Sequence, residues 1–174
     1  MLKISPQNFT DLAKYLKTPL GKISTSNTLF TRTLNNSTSK GAMNIIFALL
    51  KDSNSNLRPT NKLIEIEIRQ WLEYILIYVG NASNSQHTQN ILADLNDFLK
   101  VKTYLVGNAF TIADALLYYV LFNVMTNLSN IDKEKYINVS RWFDNIQQDS
   151  TLRQNYNIVD FSTNYLASIV PAKH

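Results

Sequence analysis

The stretch that most constrains the fold runs from Thr103 to Met125, Thr-Tyr-Leu-Val-Gly-Asn-Ala-Phe-Thr-Ile-Ala-Asp-Ala-Leu-Leu-Tyr-Tyr-Val-Leu-Phe-Asn-Val-Met. Gly107 and Asn108 mark a turn. Thr111 and Asp114 then stand at capping-box spacing, with the hydroxyl of Thr111 facing the N–H of Asp114 and the carboxylate of Asp114 facing the N–H of Thr111. Phe110 occupies the staple position, but its partner four residues into the helix is only Ala115, so the staple is weak. From Ile112 onward the helix is apolar on nearly every side, which calls for burial all round. At roughly fifteen residues, interrupted by Thr111, Asp114 and Asn123, it is too short to cross a bilayer. It reads as a core pillar around which the other elements pack.

A chain of 174 residues has room for one compact unit, or one domain with a small companion. Cysteine is absent, which excludes disulfides, thiolate metal sites and a cysteine nucleophile. The two histidines, His87 and His174, are too few for a His-centred site. Met1–Lys22 is amphipathic, without the apolar core of a signal peptide, so a cytoplasmic or nuclear location is expected and no membrane contact. The net charge of +4 is unevenly spread: Met1–Lys62 carries nine Lys/Arg against two acidic residues, and the remainder eight against eleven. The basic residues are dispersed rather than clustered, which argues against direct nucleic-acid binding.

Taken in order, Ser5-Pro6 starts a helix with Phe9, Leu12, Ala13 and Leu16 at helical spacing. Thr28–Leu34 is β-branched and aromatic, a strand, followed by a polar turn at Asn35–Ser39. Ser39 can cap a helix over Lys40–Lys51 with Met43, Ile46, Phe47 and Leu50 on one stripe. Asp52–Pro59 is a polar connector, and it divides the chain into residues 1–57 and 58–174. Beyond it, Asn61 caps a long helix to about Val79 with Ile64, Ile68, Trp71, Leu72, Ile75 and Val79 on one face. A second apolar row on that helix, Leu63, Ile66, Tyr74, Ile77 and Tyr78, leaves it in need of further partners. A polar loop at Asn81–Asn90 precedes a helix carrying Ile91, Leu92, Leu95, Phe98 and Leu99. After the central pillar come one helix over Asp132–Asp149 and a last one at about Asn157–Val170, the latter using Phe161, Tyr165, Leu166 and Ile169.

The residues expected for catalysis do not assemble. No glycine loop suits a phosphate and no His/carboxylate set stands at metal-ligand spacing, so no cofactor, no metal and no enzyme activity are expected. Glu65, Glu67 and Glu73 read as a solvated helix edge. Asp114 reads as a cap, and Tyr118, Tyr119, Trp71 and Trp142 as core aromatics. One surface feature remains. On the Asp132–Asp149 helix, Arg141 falls opposite the core residues Tyr136, Val139, Trp142, Phe143 and Ile146, and shares its face with Ile137, Asp144 and Asn145. An exposed Ile beside an Arg on a rigid helix suits an interface anchor. The competing reading is a solvated face with a local Arg141–Asp144 or Arg141–Asn145 contact.

Thr-Ile-Ala-Asp after Tyr-Leu-Val-Gly resembles the C-terminal all-helical domain of glutathione transferases, where the box is a folding element. Gln70–Tyr74, Leu116–Tyr119 and Glu134–Phe143 are similar to the glutathione-transferase-like scaffold proteins of the multi-aminoacyl-tRNA-synthetase complex, over about Asn61–Gln154. The resemblance implies a mainly α fold: a reduced thioredoxin-like α/β part at 1–57 and a helical domain at 58–174. It implies a non-catalytic scaffold, with methionyl-tRNA synthetase on the transferase-style dimer surface and glutamyl-prolyl-tRNA synthetase near Arg141. Other scaffold proteins of the complex are implied as further partners, and a nuclear DNA-damage role goes with the family. The chain departs from working transferases: Ser26-Asn27-Thr28 offers no proline before the strand, and Asn36-Ser37 is a poor glutathione-binding pair. A divergent transferase and a direct tRNA-binding protein are the alternatives.

Overall fold

The computed structural model describes residues 2–26 and 29–162. The chain opens with helix α1, Pro6–Tyr15, started as expected by Ser5 and Pro6, with the Ser5 N–H donating to Asn8 Oδ1 at 2.8 Å. Three antiparallel strands follow in sequence order: β1, Lys22–Ser26; β2, Leu29–Leu34; and β3, Ser37–Lys40. Of these, the sequence pattern predicts only β2. β1 and β3 bury no residue, so neither carries the apolar alternation by which a strand is recognised. Leu34 pairs with Ser37 across a two-residue turn in which Asn35 and Asn36 both have positive φ (47° and 62°), the backbone that matches a twisted hairpin and that Asn tolerates.

Helix α2 spans Ala42–Asp52, with Gly41 as its N-cap at φ 88°. Ser39, the expected cap, lies instead in β3. Arg32 is buried against this part: its guanidinium donates to the carbonyls of Leu20 and Pro19, each at 2.8 Å, and pairs with Asp52 at 2.8 Å. Arg58 closes the connector by donating to the carbonyls of Leu50, Lys51 and Ser53. Two of the basic residues counted in the N-terminal excess are thus engaged internally.

Asn61 caps α3, Lys62–Glu73, accepting from the N–H of Ile64 at 2.9 Å. The expected single helix to Val79 is not continuous. A π turn at Tyr74–Tyr78 and a 3₁₀ turn at Val79–Asn81 finish it, and they keep Ile75 and Val79 buried. Gly80 leaves room for a close approach. A Cβ there would lie 2.6 Å from Ile4 Cγ1, where the start of the chain packs in. The polar loop is shorter than expected, because Asn84 accepts from the His87 N–H and starts α4, Ser85–Phe98, extended by a 3₁₀ turn at Leu99–Val101.

Helix α5, Ile112–Asn127, is the expected pillar: Ile112 to Phe122 are all buried, and α5 packs on α1, α3 and α7. The Asp132–Asp149 region is two helices, α6, Asn130–Lys135, and α7, Ile137–Gln147. Tyr136 breaks them, with its backbone at φ −104°, ψ 48°. The core face survives the break, since Tyr136, Val139, Trp142, Phe143 and Ile146 are all buried. A single turn, α8, Ser150–Arg153, follows. Residues 157–162 are not helical, and the rest of the helix expected at Asn157–Val170, with Tyr165, Leu166 and Ile169, lies outside the described residues. Phe161 packs on Phe143, ring centroids 5.9 Å apart.

The N-terminal part is fastened to the helical body at several places, α2 on α3 among them. α1 lies on α5. The buried Asp11 accepts from Tyr156 at 2.7 Å and from Gln7 at 2.7 Å, while Gln154 donates to the Asp11 carbonyl and to the Tyr119 hydroxyl.

Candidate partner-binding surfaces

The Thr111–Asp114 box has a larger role than capping. Asp114 is fully buried and accepts four hydrogen bonds: from the Thr111 N–H and hydroxyl, both at 3.0 Å, from the Leu105 N–H at 2.9 Å, and from Trp142 Nε1 at 3.1 Å. Burial raises its carboxyl above the ordinary carboxylate range, and the four hydrogen bonds pull the other way. One carboxylate thereby joins the loop before α5, the start of α5 and the middle of α7. Phe110 finds its neighbours in Tyr15 and Tyr104 rather than in Ala115, edge-on at 6.1 and 6.0 Å.

That joint fixes α7, and α7 presents Arg141. The side chain is exposed, yet one of its nitrogens donates to the carbonyls of Leu99 at 2.6 Å and Lys102 at 2.9 Å, closing the end of α4. Neither expected local contact forms: Asp144 accepts from Gln147 and Gln148 instead. Asn138 adds a second tie, its N–H donating to Asn96 Oδ1 at 2.9 Å and its amide to the Asn96 carbonyl at 3.1 Å. Arg141 is therefore held in one orientation, which lowers the entropy it would lose on engaging a partner. Ile137, 51% exposed, lines the same groove as Arg141 and Asp144. Asn145 does not. It lines a different cleft, with Tyr15, Phe110 and Asp149. Val101, 85% exposed on the turn whose end Arg141 closes, is a neighbour that helical spacing could not find.

A second surface lies on α3 and the π turn. Leu63, Ile66 and Ile77 are 65%, 52% and 60% exposed, and Tyr78 is also exposed. This is the second apolar row of the sequence, and the fold leaves most of it uncovered. Beside it, Trp71 stacks edge-on with Phe98 at 4.6 Å and with Tyr74 at 5.6 Å, and the three line a shallow apolar groove between α3 and α4. The Tyr74 hydroxyl has no hydrogen-bond partner among the described residues. Arg69 bridges to the N-terminal part, its guanidinium 4.0 Å above the Phe47 ring and 2.7 Å from Glu65.

Among the described residues no three His, Cys, Asp or Glu side chains could hold a metal ion, and no helix is long and apolar enough to cross a membrane. Two of the aromatics read as core also make polar contacts: Trp142 donates to Asp114, and the Tyr119 hydroxyl donates to the Leu152 carbonyl at 2.7 Å. Asn36 sits at the exposed tip of the β2–β3 hairpin.

A family model described as the nuclear-export cofactor Arc1p matches residues 67–150, just under half of the chain. Eukaryotic translation elongation factor 1 epsilon-1 of Mus musculus is 43% identical over 99 residues, 57% of this chain and 57% of that protein, so the match spans little more than half of the relative's length. The bifunctional glutamate/proline–tRNA ligase of Cricetulus griseus is 31% identical over 120 residues, 68% of this chain and 8% of the ligase. Among solved structures, a Bombyx mori glutathione transferase superposes with a TM-score of 0.66 at 18% identity, covering 89% of this chain and 87% of its own. The glutathione-transferase-like domain of elongation factor 1-gamma from Saccharomyces cerevisiae gives 0.62 at 16% identity, covering 92% and 94%. The chain thus has a glutathione-transferase-like fold, mainly α with a small sheet, and its helical part is similar in sequence to elongation factor 1 epsilon-1 and to a tRNA ligase.

Proposed function

We propose that this chain is a non-catalytic adaptor that joins glutathione-transferase-like domains within a multi-aminoacyl-tRNA-synthetase complex. The observation that carries the reading is the pair of separated surfaces on one rigid helical body. One is the uncovered apolar row of Leu63, Ile66 and Ile77, and the other is the groove holding Ile137 and the pre-oriented Arg141. Similarity to a glutamate/proline–tRNA ligase and to Arc1p supports synthetases as the partners. In this reading the α3 row receives the domain of methionyl-tRNA synthetase, and the Arg141 groove that of glutamyl-prolyl-tRNA synthetase. Other scaffold proteins of the complex attach through these two. In this reading the chain works in the cytoplasm, the family description of a nuclear-export cofactor fits visits to the nucleus, and a role in the DNA-damage response is part of the same proposal. Direct tRNA binding is not favoured, because Arg32 and Arg58 are spent inside the fold.

Pairwise pull-downs test the assignment. Arg141→Ala should abolish capture of the glutamyl-prolyl-tRNA synthetase domain and spare that of methionyl-tRNA synthetase, and Ile77→Asp should do the reverse. Loss of a central anchor typically costs about 2 kcal/mol or more, a change of roughly thirtyfold in affinity. Unchanged binding of both domains to both variants would remove the two-surface assignment.

A further inference from the structure

A cleft opens where the end of α1, the connector, the loop before α5 and the end of α7 meet. It shares no residue with the α3 row or the Arg141 groove. Its volume is about 440 Å³, the size of a small-molecule site. Tyr15, Tyr104 and Phe110 line it. Phe110 stands edge-on to both tyrosines, at interplanar angles of 84° and 85°, so the rings make walls at right angles. Each ring is half-buried, with one side packed on the core and the rest left to the cleft. The loop carrying Tyr104 and Phe110 is clamped at both ends by one carboxylate, since Asp114 accepts from the N–H groups of Leu105 and Thr111. The rings are thus set before any ligand arrives. Among the described residues the cleft is lined by a single charged side chain, Asp149, and by no basic one. Asp149 Oδ1 caps α8, accepting from Thr151 and Leu152. Burial, and after it the Asp149 charge, pushes the Tyr15 hydroxyl up to about 12, so the carboxylate is within electrostatic reach of the rings.

We propose that this cleft binds a trimethylammonium group, with Tyr15, Tyr104 and Phe110 as an aromatic cage and Asp149 as the counter-charge. Ring faces attract a cation through their quadrupole, and the attraction grows where water is excluded. A primary ammonium suits the cleft less well. It needs acceptors for its N–H donors, and the one carboxylate present already serves a helix cap, leaving the amides of Asn56 and Asn145. Methyl groups need no hydrogen bond and pack directly on the rings. Two sources carry this chemistry, a free choline-type molecule and a trimethylated lysine side chain. The binding does not rest on the adaptor reading, and it is tested without any synthetase.

The full-length protein is titrated with choline and with its uncharged isostere 3,3-dimethylbutan-1-ol, following the ligand methyl resonance by NMR. Saturable binding with an upfield shift is expected for choline, and binding weaker by roughly tenfold for the isostere. Tyr104→Leu removes a ring and keeps apolar bulk, and Asp149→Asn removes the charge and keeps a residue type that caps helices. Each should weaken choline binding by about three- to tenfold. Thermal melts check that both variants fold, and the isostere comparison needs no variant at all. N-acetyl-trimethyllysine amide, titrated alongside, identifies the source: tighter binding than choline assigns the cage to a methylated protein, and equal or weaker binding to a free small molecule. No saturable binding of either trimethylammonium probe would overturn the proposal. An isostere that binds as well as choline would overturn it too, by making the cleft merely apolar. So would folded variants that bind choline like the parent, by placing the site elsewhere.

Discussion

The two parts of this molecule reach a stable structure by different means. In the helical body, α5 is buried on every side and its neighbours present apolar faces to it. In the N-terminal part, β1 and β3 bury nothing, and the sheet contributes little more than Phe30 and Arg32 to the interior. What holds the sheet and the connector is polar and specific, the Arg32 guanidinium on Asp52 and two carbonyls and Arg58 on three carbonyls, while α1 and α2 bury Phe9, Leu12, Ile45, Ile46, Leu49 and Leu50 in the common core. A sheet with almost no apolar face survives by stapling its backbone and leaning on helices that share a core.

The sharpest way to break that contrast is at its polar exception in the body, Asp114. Asp114→Ala removes a cap, worth ~0.5–2 kcal/mol, and leaves buried donors of Leu105 and Trp142 unpaired at ~1–3 kcal/mol each. The melting temperature should fall by roughly 10 °C or more, at ~2–4 °C per kcal/mol for a chain of this size. A melting curve matching the parent would show that the joint is not formed. Next in size is Arg32→Ala, which strips the N-terminal staple at a cost of about 2–3 kcal/mol, moderated because Asp52 is partly exposed. Hydrogen exchange should quicken in β1, β2 and α2 while the amides of α5 keep their protection. Equal loss in both parts would mean that they unfold as one unit.

The smallest expected effect is a linkage to pH. Burial pushes Tyr15 and Tyr118 from the ordinary 10.0 up to about 12, with the Asp149 charge adding to the shift at Tyr15 and the Arg153 charge opposing it at Tyr118. Their folded values lie above the unfolded ones, so the stability they contribute is intact below pH 10 and is lost as pH rises toward 12. An absorbance titration should show late-ionising tyrosines together with alkaline unfolding in that window. Full ionisation near pH 10 with the fold intact would contradict their burial.

How legible this was in the sequence depended on whether the signal was local. Thr111 with Asp114, Asn61 as a cap and the all-apolar run of α5 are local, and each stands where it was expected. The reach of Asp114 to Trp142 spans 28 positions, and no spacing rule shows it. β1 and β3 are polar on both faces and carry no period to read, although Asn35-Asn36 flanked by short runs was a usable hairpin signal. The Asp132–Asp149 pattern kept its core face through the break at Tyr136, so the faces were right and the continuity was not. Helical geometry put Arg141 on the outer side but could not reveal the Leu99 and Lys102 carbonyls that orient it. It also grouped Asn145 with a face that the structure gives to another cleft.

As an adaptor of the proposed kind, one chain presents two independent surfaces to two partners. Sedimentation velocity on the purified chain, mixed with the glutathione-transferase-like domains of methionyl- and glutamyl-prolyl-tRNA synthetases singly and together, tests it directly. A 1:1 complex with each domain and a 1:1:1 complex with both are expected. Two domains that displace each other, or neither binding at all, would contradict it.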